Sequence, residues 1–237
     1  MKGFSAILRN ELVIYFTSPI GYILIGIFWA ASGYFFSFNV YFVNAAHMVT
    51  SFHNMSLLLM LILPLITMRV FSEEVKMGTM ELLLTLPISE VGILAGKLVA
   101  ILLILLAMLG GTAVAVLPLM LYGNPDIGPI IGGYIGVFLI ALGFIGIGFF
   151  VSSLSSNQVV AAVVSWAVIL LLWFIDFGAS ISSDYTLVAI FQHLSLSIHY
   201  IDLIRGVIDY SSVAYLLGLF FLLMVGTIQA LKLKRLQ

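Results

Sequence analysis

The chain has 237 residues, of which 63% are hydrophobic and 8% are charged, with a net charge of -1 and no cysteine. A soluble domain carries about a quarter charged residues, so this chain has too few to cover a water-facing surface and must be solvated by lipid. The absence of cysteine excludes disulfides and thiolate metal sites.

The first residues, "MKGFSAILRNELVIYF", do not read as a cleaved signal peptide. The apolar stretch after them is too long, and no small-x-small cleavage site is present, so this segment is expected to stay attached. Phe4, Ile7, Leu8, Leu12 and Tyr15 share one helical face, with Lys2, Arg9 and Glu11 off it. That pattern predicts a helix over 1–18 lying in the membrane interface. The other reading is a first span that starts early. "TSP" at 17–19 ends the segment, with Ser18 placed to cap the next helix and Pro19 at its first position.

Six apolar stretches approach the length of about 20 residues needed to cross the hydrocarbon core: 20–42, 55–68, 92–121, 130–151, 159–175 and 213–231. The second is short unless it starts near Ser51, and the third is long enough to tilt or to begin outside the membrane. With the N-terminus inside, Lys2, Arg9, Arg69, Lys76, Lys97, Lys232, Lys234 and Arg235 fall on the cytoplasmic side and only Arg205 falls outside. Eight of nine basic residues on one side fix both termini as cytoplasmic.

The densest charge lies between the second and third spans, in "RVFSEEVKMGTMELLLTLPIS" at 69–89. Ser72 is placed to cap a short helix with Glu73 and Glu74 in its first turn, where negative charge complements the helix dipole. Gly78 interrupts that helix, Thr79 is placed to cap a second turn with Glu81 near its start, and Pro87 ends it. Met80, Leu83 and Leu84 would rest on the membrane surface while the glutamates and Lys76 face water. The plain reading is a solvated connector. The stronger one is a segment that a cytoplasmic partner grips to move two spans.

The membrane interior offers nothing for ion coupling. No charge occurs between Leu98 and Asn124, from Asp126 through the fourth span, or in the sixth span before Lys232. Asp176, at the outer end of the fifth span, reads as an interfacial residue or as one in a path. Carriers driven by ions need ionisable groups inside the membrane. "GILAGKL" at 92–98 is not a phosphate loop, because the gap before Gly-Lys is three residues and Leu98 stands where Ser or Thr is required. No nucleophile–base or metal-ligand cluster suggests an enzyme.

Residues 177–212, before the last span, are too long for a turn and suggest two short helices at or dipping into the outer leaflet. Asp202 and Arg205 are spaced to pair on one helical face, and Asp209 comes one turn later. They read as a local ion pair in that segment or as substrate-touching groups. His47, His53, His193 and His199 fall outside, at spacings that do not match an i, i+4 metal pair. Gly132, Gly136 and Gly143 lie near one face of the fourth span and suggest close helix packing. "SSLSSN" at 152–157 reads as a short turn.

The stretch "MRVFSEEVKMGTMELLLTLPISEVGILAGK" at 68–97 resembles the signature of ABC type-2 permeases, with Arg69, Glu73, Glu74, Gly78, Thr79, Glu81, Pro87 and Lys97 in register. "YFTSPIGYI" at 15–23 and "HYIDLIRGVIDYSSVAY" at 199–215 resemble the gliding-motility permeases within that family. Val75 departs from the pattern, in which a basic residue commonly comes after the glutamates. The resemblance runs over the whole chain and implies a single all-α membrane domain, 1–237. That domain would have six transmembrane helices, an interfacial helix at 1–18, a cytoplasmic coupling helix within 70–90 and outer re-entrant helices at 177–212.

It further implies the membrane subunit of an exporter in the cell (inner) membrane, with ATP and magnesium bound by a separate ATPase subunit and no cofactor in this chain. The coupling residues would be Arg69, Glu73, Glu74, Lys76, Gly78, Thr79 and Glu81. Asp176, Asp202, Arg205 and Asp209 would line an outer gate. The expected partners are the ATPase, a second permease chain (identical or a paralogue), membrane lipid and an envelope accessory protein, with no nucleic acid. The gliding-motility likeness also supports a different class of function, a non-transporting anchor that transmits force to an envelope machine.

Overall fold

The computed structural model describes residues 2–42, 48–85, 88–117, 120, 127–181, 184–207 and 209–235. Every regular element among them is helical. The chain runs α1 (Lys2–Thr17), α2 (Pro19–Phe42), α3 (Val49–Thr67), α4 (Arg69–Lys76), α5 (Met80–Thr85), α6 (Glu90–Thr112) with a 3-10 turn at Ala113–Ala115, then α7 (Ile127–Leu154) and α8 (Gln158–Phe174). It continues with α9 (Asp176–Ile181), α10 (Tyr185–Leu194), α11 (Leu196–Ile204) and α12 (Tyr210–Arg235). Among the described residues, six helical stretches are long and apolar enough to cross a membrane: Pro19–Val40, Val49–Lys76, Glu90–Thr112, Ile127–Leu154, Gln158–Ala179 and Tyr210–Arg235. The protein is an all-α, multi-pass membrane protein.

The second span begins at Val49, which gives it full length; in the third, the α-helix runs to Thr112 and tightens into the 3-10 turn, and its expected end at 121 lies outside the described residues. Gly110 and Gly111 weaken the helix there, and the cap at Ala113 bonds back to both of their carbonyls as the coil tightens. His47, Pro87, Leu121, Asn124 and Asp126 lie outside the described residues. The Ser18 cap forms as expected, its hydroxyl accepting from the Ile20 amide at 3.4 Å.

The core is arranged around α7, which packs against α3, α4, α8, α11 and α12. A helix apolar on every side belongs in the interior, and glycines let its neighbours come close. A Cβ at Gly133 would sit 2.1 Å from the Phe52 ring, and one at Gly148 would sit 1.9 Å from the Thr67 hydroxyl. Gly132 and Gly136 face Gly206 and Leu203, whose nearest atoms would lie 2.9 Å from an added Cβ in each case. Gly143 meets only Leu219, at 3.9 Å, so close packing accounts for two of the three glycines expected to share that role.

At one end of the bundle α10 and α11 form a pair bent by 61°. Ser195 sits at the bend and caps α11 by accepting from the Ile198 amide at 3.3 Å. Tyr200 of α11 is fully buried. Its hydroxyl donates to the Phe52 carbonyl at 2.8 Å and accepts from the Ser56 hydroxyl. All these atoms lie near the start of α3, the end opposite the basic residues.

Candidate functional site

At the basic end, α4 continues the second span after a one-residue break at Met68. Ser152, at the end of α7, fills that break. Its hydroxyl accepts from the amides of Phe71 and Ser72 at 3.1 and 3.2 Å and donates to the Met68 carbonyl at 3.0 Å. This corrects two expectations. Ser152 and Ser153 are buried in α7, and the turn is confined to 155–157, where Asn157 caps α8 by accepting from the Val159 amide. Ser72 is not an N-cap, because the helix already begins at Arg69. The Ser72 hydroxyl instead donates back to the Met68 carbonyl, and Glu73 and Glu74 fall in the second turn.

The two glutamates point to different partners. Glu73 is held by a two-pronged pair with Arg69, Nε to Oε2 at 2.8 Å and Nη2 to Oε1 at 3.1 Å. Such i, i+4 pairs at a partly exposed surface contribute about 0.5 kcal/mol, so this one mainly fixes orientation. Glu74, expected to face water, turns inward to Lys97 of α6, with Nζ to Oε1 at 2.7 Å. Lys97 is 3% exposed. Its ammonium also donates to Glu11 of α1 at 2.5 Å and lies 5.6 Å from the centre of the Phe71 ring.

Glu11 is likewise buried, on the same face of α1 as Ile7, where the sequence pattern placed it off the apolar face. A carboxylate enters that face because a cation is waiting for it. Farther along α1, Tyr15 donates to the Ile66 carbonyl at 3.3 Å. Its own burial, with the Glu11 carboxylate nearby, pushes the phenol pKa up.

The junction then turns. Gly78 has φ +68°, and the amide of Thr79 bonds back to the Glu74 carbonyl at 3.0 Å, the closing pattern of a helix that ends in a left-handed residue. The Thr79 hydroxyl also donates to the Glu74 carbonyl, so it secures the end of α4. In α5, Glu81 occupies the first turn and is exposed, as is Lys76 before the turn. Met80 is buried within the protein and Leu83 is half-buried against the core, so neither rests on a membrane surface as expected. The Leu84 side chain lies outside the described set.

Two clefts flank this helix–turn–helix. One, of about 610 Å³, lies between α1 and α4–α5 and is lined by Glu11, Tyr15, Arg69, Glu73, Glu74 and Thr79, among others. The other, of about 810 Å³, is lined by Gly78, Met80, Glu81, Thr85, Lys234 and Arg235, among others. Arg235 also donates to Glu90 at 2.6 Å, tying the end of α12 to the start of α6.

At the opposite end no ion pair joins any of the four expected gate residues to another. Asp202 on α11 and Arg205 just after it are exposed, and no ion pair joins them; the amide of Arg205 bonds to the Asp202 carbonyl. Asp209 is held by Ser211, whose hydroxyl and amide keep the carboxyl below its usual range. Asp176 starts α9, half-buried, with its Oδ1 buried and without a hydrogen-bond partner. His199 stacks on Tyr215 at 4.3 Å and reaches Ser212 and the His193 carbonyl, each at 3.3 Å. No cluster of three metal-ligating side chains occurs among the described residues.

Lys97, Glu11, Ser152 and Tyr200 are the site and locking residues that sequence reasoning missed as such. Lys97 had one visible signal: it is a charge two helical turns inside an apolar span.

No curated protein matches the chain. A family model described as "ABC-2 family transporter protein" matches residues 34–208, which take in the junction, α7 and the bent pair but leave α1 outside. That is well over half the chain. The protein therefore belongs to the ABC-2 family of transporter proteins, as the membrane permease subunit of an ABC transporter, a family whose permeases pair with an ABC ATPase.

Proposed function

We propose that the chain is the permease subunit of an exporter in the cell (inner) membrane, with both termini cytoplasmic, and that residues 69–85 form the segment gripped by its separate ATPase. ATP and magnesium would be bound by that partner, and two permease chains, identical or paralogous, would enclose the path. The observation that carries this reading is the helix–turn–helix at the basic end, bonded to α6 and α7, continuous with α3 and flanked by two open clefts. Lys76 and Glu81 are its exposed charges, Glu73 is a carboxylate held in one orientation by Arg69, and Gly78 and Thr79 set the turn. Glu74 faces inward and serves the segment from within. At the far end, α10 and α11 would close the outer exit, with Asp176, Asp202, Arg205 and Asp209 around it.

The test is to tag the chain in its native host, extract it gently, and measure which proteins co-purify and whether they hydrolyse ATP. A soluble ATPase at one per permease is expected, and it should be lost in Glu81→Lys and Lys76→Glu variants whose thermal unfolding is unchanged. A clean preparation without an ATPase in several detergents overturns the reading. The likeness to gliding-motility permeases supports the alternative of a force-transmitting anchor. ATPase activity stimulated only by an envelope protein, and never by small solutes, would favour it.

A further inference from the structure

Lys97 joins segments that the chain keeps far apart. Glu11 lies 86 residues before it and Glu74 lies 23 before it, on two different helices. The backbone approach that permits this is built in. A Cβ at Gly96 would sit 2.9 Å from Ile7 and 3.4 Å from the Phe4 carbonyl, so α1 presses directly onto the first turns of α6. Helix α1 leads through Ser18 into α2, the first span.

Stability alone does not account for a lysine here. Replacing a buried ion pair by apolar groups of similar volume is often neutral or stabilising, whereas the ionic version specifies which groups must meet. An apolar α1 face could slide along α6. A carboxylate pair shared by one ammonium cannot slide without leaving a buried charge alone. Glu74 is the only one of the three on the junction helix itself, so the same ammonium fixes α1 to the segment that the ATPase is proposed to grip.

We propose that Lys97 is a positioning residue that locks α1 to the coupling segment, so that motion imposed on α4 and α5 reaches the first span through α1. This rests on the coupling reading above. It adds a route to α2, a span with no direct chain connection to the junction.

The absence of cysteine allows a direct test. Arg9→Cys on α1 and Met77→Cys at the turn, both exposed, carry nitroxide labels in the purified full chain in nanodiscs, and pulsed electron paramagnetic resonance reads their separation. The triple variant Glu11→Gln, Glu74→Gln, Lys97→Met leaves no buried charge unpaired and so guards against simple unfolding. The parent should give one narrow distance and the neutral triple a broadened one. Lys97→Arg, which keeps the positive charge, should stay narrow.

In the co-purified complex, the neutral triple should retain the ATPase while permease-dependent stimulation of hydrolysis falls about tenfold, within the usual range of a coupling free energy. If the neutral triple and Lys97→Arg behave alike, both narrow or both broad, charge does not position α1 and the proposal fails. Unchanged stimulation in the neutral triple also overturns it. Failure to recover any ATPase counts instead against the coupling reading, and the distance measurement still decides the role of Lys97.

Discussion

Each end of the bundle has a buried side chain that joins helices distant in sequence, and the two differ in chemistry. At the basic end Lys97 holds α1 and α4 by ion pairs; at the other, Tyr200 holds α11 to α3 by hydroxyl bonds. The acids divide the same way. Glu11, Glu73, Glu74, Glu81 and Glu90 gather at the basic end, while Asp176, Asp184, Asp202 and Asp209 lie at the other. Hydroxyl groups that part can be satisfied again by water at modest cost, whereas separating a buried ammonium from its carboxylates strands a charge. On this chemistry the Tyr200 end is expected to open locally more readily than the Lys97 end, which is expected to move as one body.

The sharpest way to break this comparison is to remove one charge. Lys97→Met alone leaves Glu11 and Glu74 unpaired and should lower stability by about 3–5 kcal/mol, read as the shift in thermal unfolding in nanodiscs. The neutral triple variant should recover most of that loss; equal losses would mean the lysine matters for its packing and not its charge. Tyr200→Phe removes two buried hydrogen bonds and should cost about 1–3 kcal/mol. Its effect should be confined to its own end: faster hydrogen exchange in α10 and α11, with the Arg9–Met77 label distance unchanged. A change in that distance would mean the ends are not independent.

Gly78→Ala should cost about 1–2 kcal/mol, because a side chain is disfavoured at φ +68°. It should reduce ATPase association more than it reduces thermal stability. The smallest effect is expected at Asp202→Ala, under about 0.5 kcal/mol, because no ion pair with Arg205 is present to lose; a larger drop would point to a partner that α11 meets in the assembly.

The spans and the family were legible because lipid demands long apolar runs and because the charged stretch between the second and third spans is local in sequence. The caps at Ser18 and the turn at Gly78 were legible because they are local. Contacts between distant segments were not. Glu11 was assigned to the wrong face because periodicity scores a carboxylate as outward, and only the position of Lys97 in space reverses that. Ser72 precedes two glutamates, as an N-cap does, but the helix had already begun at Arg69. Ser152 sat in a serine-rich run that reads as a turn, and its real task is set by the break at Met68, more than 80 residues away. Tyr200 finds its acceptor 148 residues upstream.

The two grips on α7 carry a mechanical consequence. At one tip Ser152 holds the break at Met68, and toward the other Gly132 receives Leu203 and Gly206. Twenty residues of helix separate them, about 30 Å at the α-helical rise, which is also about the thickness of the hydrocarbon layer. The helix thus has the length of a lever whose handles would lie at opposite faces of the bilayer. When a stiff lever tilts about its middle, its ends travel in opposite directions. A push that carries the junction inward at one face would swing the bent helix pair outward at the other, with no change in the length of any helix between them.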